Sequence, residues 1–279
     1  YYRLQRKLHG KQYYQGIDSA KQLSFQKQEL EAIANVEHAA TVAHTAEQLA
    51  LLHYSKVSGR SESDLAKVET LMENLPASEA LPLRLQLDVL QAKATGYFMK
   101  GNVEAAYECN SQFLAKLEQG KLVEQYAERY FSVLNNYLVD SQVLGYTEQV
   151  ERGLWKLRGL EEEQAFRKIP RLPMNIFRLG YQLELNLILS AGKFNEVARL
   201  AAAVDEGLKK FSGQIVEHNV ITFQYLLAYL YFGNRQYQEA LDRLAIIIND
   251  TDDKAVQEIQ GFARLLNLVA HYEAGHYRL

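Results

Sequence analysis

Residues that could perform catalysis are scattered along the chain. Its seven histidines include no pair at the spacing of zinc ligands on one helical turn, and His38 and His44 fall on different helix faces. Cys109, the single cysteine, has no assignable partner base, which favours an inert buried thiol over a nucleophile. Neither a phosphate-binding glycine loop nor a nucleophile elbow occurs. We therefore expect no metal, no cofactor and no enzymatic activity.

Carboxylates offer one catalytic alternative. A helical toroid enzyme acting on glycosides would need paired carboxylates facing each other across a cleft. The candidates are Glu128, Asp140 and Glu184, although nothing in the sequence distinguishes them from other acidic residues. The acidic run at 161–163 is typical of a solvated loop. A toroidal enzyme is therefore the less favoured alternative.

The segment 1–16, "YYRLQRKLHGKQYYQG", mixes tyrosines with basic side chains. Rings that stack on bases and cations that pair with phosphates are what nucleic-acid binding requires. However, the net charge of the chain is -3, and a solvated helix face with packed tyrosines explains the same pattern. Nucleic acid is therefore a disfavoured partner. DNA is a partner only in a second alternative, in which the chain is a peptide-sensing signalling or transcriptional regulator whose N-terminal third contacts DNA or a partner.

The composition predicts an all-α protein. Only four prolines occur in 279 residues, and the stretches between them are rich in good helix formers. No apolar run approaches the roughly 18 residues that a membrane span needs. The lone cysteine excludes an internal disulfide, so we expect a cytoplasmic protein. Because the chain begins at Tyr1 without a methionine, an N-terminal signal removed beforehand is compatible with this expectation.

A unit recurs in the later part of the chain: an apolar helix, a glycine, and a second helix with a small or branched apolar residue five positions after the glycine. Three copies have this spacing: Gly101 with Ala106, Gly145 with Val150, and Gly192 with Val197. In a fourth copy, "YFGNRQYQEALDRL", the glycine is Gly233 and the small residue is Ala240. Glycine ends a helix well because left-handed backbone carries no Cβ penalty there. The short turn then presses two antiparallel helices together, which requires a small residue where they meet.

These positions resemble the tetratricopeptide repeat family over residues 85–279. In the fourth copy the match comprises Leu227, Ala228, Tyr231, Tyr237, Ala240, Leu244 and Ile247. Matched positions recur at intervals of 44, 47 and 43 residues, longer than the family's unit of about 34, and the family's closing proline is missing. A HEAT-like array is therefore a rival description. The resemblance implies a TPR-like α-solenoid, a right-handed superhelix of antiparallel helix hairpins.

Two regions follow from this pattern. Residues 1–80 are expected to form two or three helices, a helical region of diverged capping repeats, with Ser63 or Asp64 capping a helix after residue 60. Residues 81–279 are expected to form the repeat array, with a last repeat truncated in "HYEAGHYRL". The apolar surface uncovered there could drive self-association. The expected apolar face in the first region comprises Leu23, Leu30, Ile33, Ala40, Ala43, Leu49 and Leu52.

The resemblance also implies a binding groove, because the first helix of each pair lines the concave side in this family. The groove positions transferred residue by residue are Gln91, Phe98, Asn135, Gln182, Asn186, Tyr225, Tyr229, Phe232 and Tyr272, flanked by Thr95, Val139, Gln142, Leu189, Leu265 and Val269. Amides can bind the backbone of an extended peptide and aromatic rings can anchor its side chains. The implied function is a non-enzymatic scaffold that binds a protein or an extended peptide. The same aromatic rings could instead contact the next repeat.

Overall fold

The computed structural model describes residues 19–54, 61–77, 81–249 and 257–275, which contain helices and no strand. The all-α prediction is confirmed for these residues. None of the described helices combines the length and the apolar character needed to cross a membrane. The described segments contain eleven α-helices: α1 Ser19–Tyr54, α2 Glu62–Glu73, α3 Leu83–Met99, α4 Val103–Gln119, α5 Ala127–Val143, α6 Thr147–Gly159, α7 Leu172–Ser190, α8 Val197–Lys210, α9 Glu217–Gly233, α10 Tyr237–Asn249 and α11 Gln257–Glu273. A short 3-10 turn, Phe194–Glu196, precedes α8.

The chain divides into two compact units, Tyr1–Phe113 and Leu114–Leu279. In the first unit, α1, α2 and α3 pack against one another. Residues 17–58 contain neither Gly nor Pro, and α1 accordingly runs unbroken for 36 residues. The region boundary predicted after residue 80 stays a prediction.

Only part of the apolar face predicted for α1 is buried. Leu49 is fully buried against Val68 of α2, whereas Leu23 and Leu30 are 65% and 67% exposed. Leu23 and Leu30 are exposed because they lie before the part of α1 that packs on other helices. The buried clusters of this unit include α1 only from Ala39 onward. The predicted face is therefore wrong toward the N-terminal end of the helix.

Helix α2 begins with a capping box at Ser61. The backbone N–H of Asp64 donates to Ser61 Oγ at 3.3 Å, and the N–H of Ser61 donates to Asp64 Oδ2 at 3.0 Å. This reciprocal pair satisfies two N–H groups that the helix itself leaves without partners. The cap is therefore Ser61, and the prediction of Ser63 or Asp64 was wrong by two or three residues.

Helices of the second unit pack in chain order. Each of α5 to α10 contacts the next helix along the chain. Alternate helices also meet directly, α5 with α7, α7 with α9 and α9 with α11. Helix α9 contributes to two core clusters, since Phe223 joins the cluster built on α7 and α8 while Ala228 joins the cluster built with α10 and α11.

The turns within the helix pairs share one geometry. A left-handed residue closes the first helix at Gly101, Gly145, Gly192 and, in the fourth copy, at Arg235 with φ 62°. In the fourth copy the N–H of Gln236 bonds to the carbonyl of Tyr231 and that of Arg235 to the carbonyl of Phe232, the Schellman pattern of helix ends. Gly233 is the last residue of α9, but the left-handed conformation predicted for it is adopted by Arg235 instead. Counted from Arg235, Ala240 follows at the same five-residue spacing as in the other copies.

The small residues after these turns are buried as predicted. Ala106 and Val150 are each 1% exposed, and Val197 and Ala240 are fully buried. Glycines inside the paired helices also allow two helices to approach closely. A Cβ on Gly153 would collide with Leu138, and one on Gly207 would collide with Phe177. Close helix approach therefore depends on missing or minimal side chains at these contacts.

Candidate functional site

Three aromatic residues, spaced by four and three positions, lie on one face of α9. Tyr229 is 44% exposed, and the ring of Tyr225 stacks on it at 6.5 Å with an interplanar angle of 26°. Burial raises the pKa of Tyr225, with a smaller contribution from Tyr229. Phe232 is half-buried against Tyr237, with ring centroids 5.6 Å apart. Of the three predicted aromatic anchors, Tyr229 thus offers the most free surface, and the other two support it.

Helix α11 adds an apolar face to this region. Its three predicted groove positions are all exposed: Leu265 by 61%, Val269 by 40% and Tyr272 by 65%. Phe262 and Leu268, which sequence reasoning missed, are also exposed, by 53% and 51%. The opposite side of the helix is buried through Ala263, Leu266 and Ala270. We call the exposed set, Phe262, Leu265, Leu268, Val269 and Tyr272, the α11 apolar face.

Amide side chains connect three alternate helices. Asn186 on α7 donates through Nδ2 to Gln142 Oε1 on α5 at 3.3 Å, and Gln142 Nε2 donates to the carbonyl of Leu183 at 3.1 Å. Gln182 on α7 donates to Asn219 Oδ1 on α9 at 3.2 Å. These bonds form an amide ladder from α5 through α7 to α9. Two predicted groove residues, Gln182 and Asn186, belong to it, and the flanking Gln142 is its partner on α5.

Asn135 does not join the ladder. Its Nδ2 donates at 3.2 Å to Asn136 Oδ1, the side chain of the next residue on α5. Asn135 is half-buried. Its predicted contact with a peptide backbone stays a prediction.

Arg178 is a further polar residue on the same face as the ladder. It lies four residues before Gln182, and its guanidinium donates to Gln182 Oε1 at 3.4 Å. No described carboxylate lies within ion-pair distance of Arg178. Burial lowers the pKa of this guanidinium. Sequence reasoning missed Arg178, although its spacing of four from Gln182 could have found it.

Gln91 and Phe98 lie in the first unit, on α3. Phe98 is 43% exposed, and its ring meets His53 of α1 edge to face at 5.9 Å. Gln91 is half-buried, and its backbone carbonyl accepts from the hydroxyl of Thr95 at 3.0 Å. These two predicted groove positions thus lie on a helix, α3, that α1 covers in part.

The three candidate carboxylates lie in different environments. Glu184 accepts from Arg158 and, at 2.9 Å, from Arg199. Burial raises the pKa of Glu184, but the hydrogen bonds from both arginines outweigh burial and hold that pKa below its ordinary value. Glu128 is exposed and Asp140 is buried on the same helix, α5.

Two further predictions concern reactive or metal-binding groups. Burial raises the pKa of the Cys109 thiol, which disfavours the thiolate that a nucleophile requires. The described residues contain no group of three or more metal-ligating side chains. The basic segment 1–16 lies outside the described residues.

Comparisons of the chain with protein-family models, with curated proteins and with solved structures find no match. The resemblance to tetratricopeptide repeats therefore rests on the residues of the chain itself, and membership of that family stays a prediction.

Proposed function

We propose that this chain is a non-enzymatic scaffold that binds a protein or an extended peptide in a groove. In this proposal the helix pairs form a TPR-like α-solenoid, a right-handed superhelix, and α5, α7, α9 and α11 line its concave side. The packing order supports the arrangement, because these alternate helices contact one another as the first helices of stacked pairs do. The observation that carries the proposal is the sequence of surfaces along this row: an amide ladder, then the exposed ring of Tyr229, then the α11 apolar face.

Each surface suits a different part of a peptide. The α11 apolar face and Tyr229 expose enough apolar area to anchor one or two large side chains. Asn186 keeps its Oδ1 as an acceptor while its Nδ2 serves the ladder, so a peptide N–H can bond to it without disturbing the helices. The groove is held in place before binding, which reduces the ordering cost of association.

Arg178 adds a charge preference. A half-buried guanidinium with only an amide partner gains more from a carboxylate than a fully hydrated one does. The proposal therefore favours peptides that place an acidic group near α7 and apolar side chains toward α11.

The test begins with peptides selected from a random display library, whose affinities are then measured by fluorescence polarisation. Tyr229→Ser should weaken binding by at least about tenfold, as expected for an exposed aromatic anchor. Asn186→Ala should weaken binding by about threefold to tenfold, as expected for one hydrogen bond, without unfolding the protein. Arg178→Gln should weaken only those peptides that contain an acidic residue.

The matched control is Ile246→Ser. Ile246 is 50% exposed on α10, which is not one of the proposed groove helices. The proposed groove would be contradicted if Tyr229→Ser and Ile246→Ser lost the same peptide affinity, or if Tyr229→Ser kept full affinity. Circular dichroism of each variant establishes that the fold is retained.

A further inference from the structure

The only tryptophan of the chain, Trp155, is 82% exposed on α6. Exposed tryptophans are uncommon, because the indole ring buries more apolar surface than any other side chain. Trp155 lies at the wall of an open pocket of about 560 Å³, within the range of roughly 300 to 1,000 Å³ that ligand sites occupy. The pocket is formed between α6 and α7 and is lined by Glu151, Leu154, Trp155, Arg158, Glu162, Glu184, Leu187 and Ile188 together with Gly159.

This pocket lies on a different side of α7 from the proposed groove. Glu184 is two residues from both Gln182 and Asn186, and two residues turn an α-helix by about 200°. The inference below is therefore independent of the proposed function.

Charge in the pocket is not balanced. Arg158 is bound to Glu184 and lies over the ring of Tyr181 at 5.4 Å, and Arg199 pairs with Glu184 and Glu196. These two cations and two carboxylates neutralise one another. Glu151 and Glu162 are exposed, and neither makes a side-chain hydrogen bond or ion pair with any described residue. Arg167 donates to the backbone carbonyl of Glu162 at 3.4 Å but does not pair with its carboxylate. The pocket thus has two carboxylates without an ion-pair partner among the described residues, beside an open indole ring.

We propose that this pocket binds an arginine side chain of a basic peptide segment. A guanidinium group stacks flat on an indole ring and donates two parallel hydrogen bonds to a carboxylate. The walls formed by Leu154, Leu187 and Ile188 suit the aliphatic stem of arginine. A methylated lysine, which is recognised by several rings around one ammonium, fits less well because the pocket has a single aromatic residue.

Trp155 also supplies the measurement, since the fluorescence of the protein's indole arises at this pocket alone. The probe is the acetylated and amidated peptide Gly-Arg-Gly, and the matched probe replaces arginine by citrulline, which has the same shape without the charge. We expect a saturable change in Trp155 fluorescence with the arginine peptide. The citrulline peptide should bind at least about fivefold more weakly, as the loss of a cation–π contact and an exposed ion pair predicts. Added salt should weaken the arginine peptide as well.

Paired variants test the carboxylates. The double variant Glu151→Gln with Glu162→Gln should bind the arginine peptide at least about fivefold more weakly. The control double variant Glu148→Gln with Glu161→Gln removes the same charge from α6 and its following loop but leaves the pocket lining unchanged, and it should bind normally. The proposal would be overturned if the arginine and citrulline peptides bound with equal affinity, or if both double variants lost the same affinity for the arginine peptide. It would also be overturned if Trp155 fluorescence showed no saturable change, or if the corresponding glutamate peptide bound more tightly.

Discussion

The ring of Phe194 occupies the space that a side chain at Gly233 would need. A Cβ built on Gly233 would lie 2.6 Å from Phe194 Cγ and closer still to the ring edge. Gly233 is part of α9, and Phe194 stands in the 3-10 turn before α8. Gly233, the last residue of α9, therefore permits the close contact between two consecutive helix pairs.

Gly233→Ala should destabilise the protein by about 2 kcal/mol, because the added methyl group must displace a packed aromatic ring. Urea unfolding followed by circular dichroism measures the change. Gly261→Ala is the control, since Gly261 lies within α11 with no atom near its missing Cβ. That variant should be neutral or more stable by about 0.5 to 1 kcal/mol. Equal effects at both sites would show that helix propensity and not the Phe194 contact decides the outcome.

The left-handed turn residue of the fourth helix pair is Arg235, where the other pairs have glycine. Arg235→Gly should stabilise the protein by about 0.5 kcal/mol, because relief of the left-handed strain exceeds the added entropy of the unfolded chain. Gly145→Ala, at the same position of another turn with φ 73°, should destabilise it by about 1 kcal/mol. Thermal unfolding of both variants provides the comparison. A loss of stability in Arg235→Gly would argue against the turn strain.

Glu184 predicts a pH dependence of stability. Its pKa is held below the ordinary 4.5 by the two arginines, although burial acts in the other direction. A lowered carboxyl pKa contributes stability above the unfolded pKa, and that contribution is lost as the pH falls through the folded value. Glu184→Gln should cost about 1 kcal/mol at pH 7, since both arginines are half-exposed and water screens the pair.

The difference in stability between Glu184→Gln and the parent protein should shrink as the pH falls below the ordinary carboxyl pKa and disappear below the lowered pKa of Glu184. Urea unfolding across the acid range measures this convergence. Glu148→Gln is the control, because its partner Arg152 and Glu148 itself are 77% and 71% exposed, and it should change stability by less than about 0.5 kcal/mol. A constant difference between Glu184→Gln and the parent at every pH would contradict the role of the charge.

The α11 apolar face predicts self-association. Five large apolar side chains exposed on one helix form a patch of the kind that mediates protein contacts. Sedimentation velocity should show an average mass that rises with concentration, and Leu265→Ser combined with Tyr272→Ser should reduce that rise. Ile246→Ser should leave it unchanged. A mass independent of concentration in the parent protein would remove this prediction.

Local signals in the sequence were sufficient to place the turns of three of the four helix pairs. Gly101, Gly145 and Gly192 are left-handed turn residues as expected, because a positive φ strongly favours glycine. Arg235 gives no such signal, so the fourth turn was placed at Gly233. Similarly, the apolar periodicity of α1 is present at Leu23 and Leu30, but none of the described helices covers them.

Contacts between distant helices could not be predicted from the sequence. The amide ladder joins Gln142 to Asn186 and Gln182 to Asn219, pairs that lie 44 and 37 residues apart. Which amides meet depends on how far neighbouring helices slide along each other, and helical spacing alone does not determine that displacement. The groove positions taken from the repeat resemblance included Gln182 and Asn186 but could not reveal that their amides also join helices.

Photo-crosslinking of a selected peptide tests the central claim most directly. A photoreactive group replaces the apolar anchor residue of the peptide, and mass spectrometry of the digested complex locates the attached residues. The proposed groove predicts attachment on α9 and α11, at Tyr229, Leu265, Val269 or Tyr272. Attachment confined to α6, α8 or α10 would contradict it.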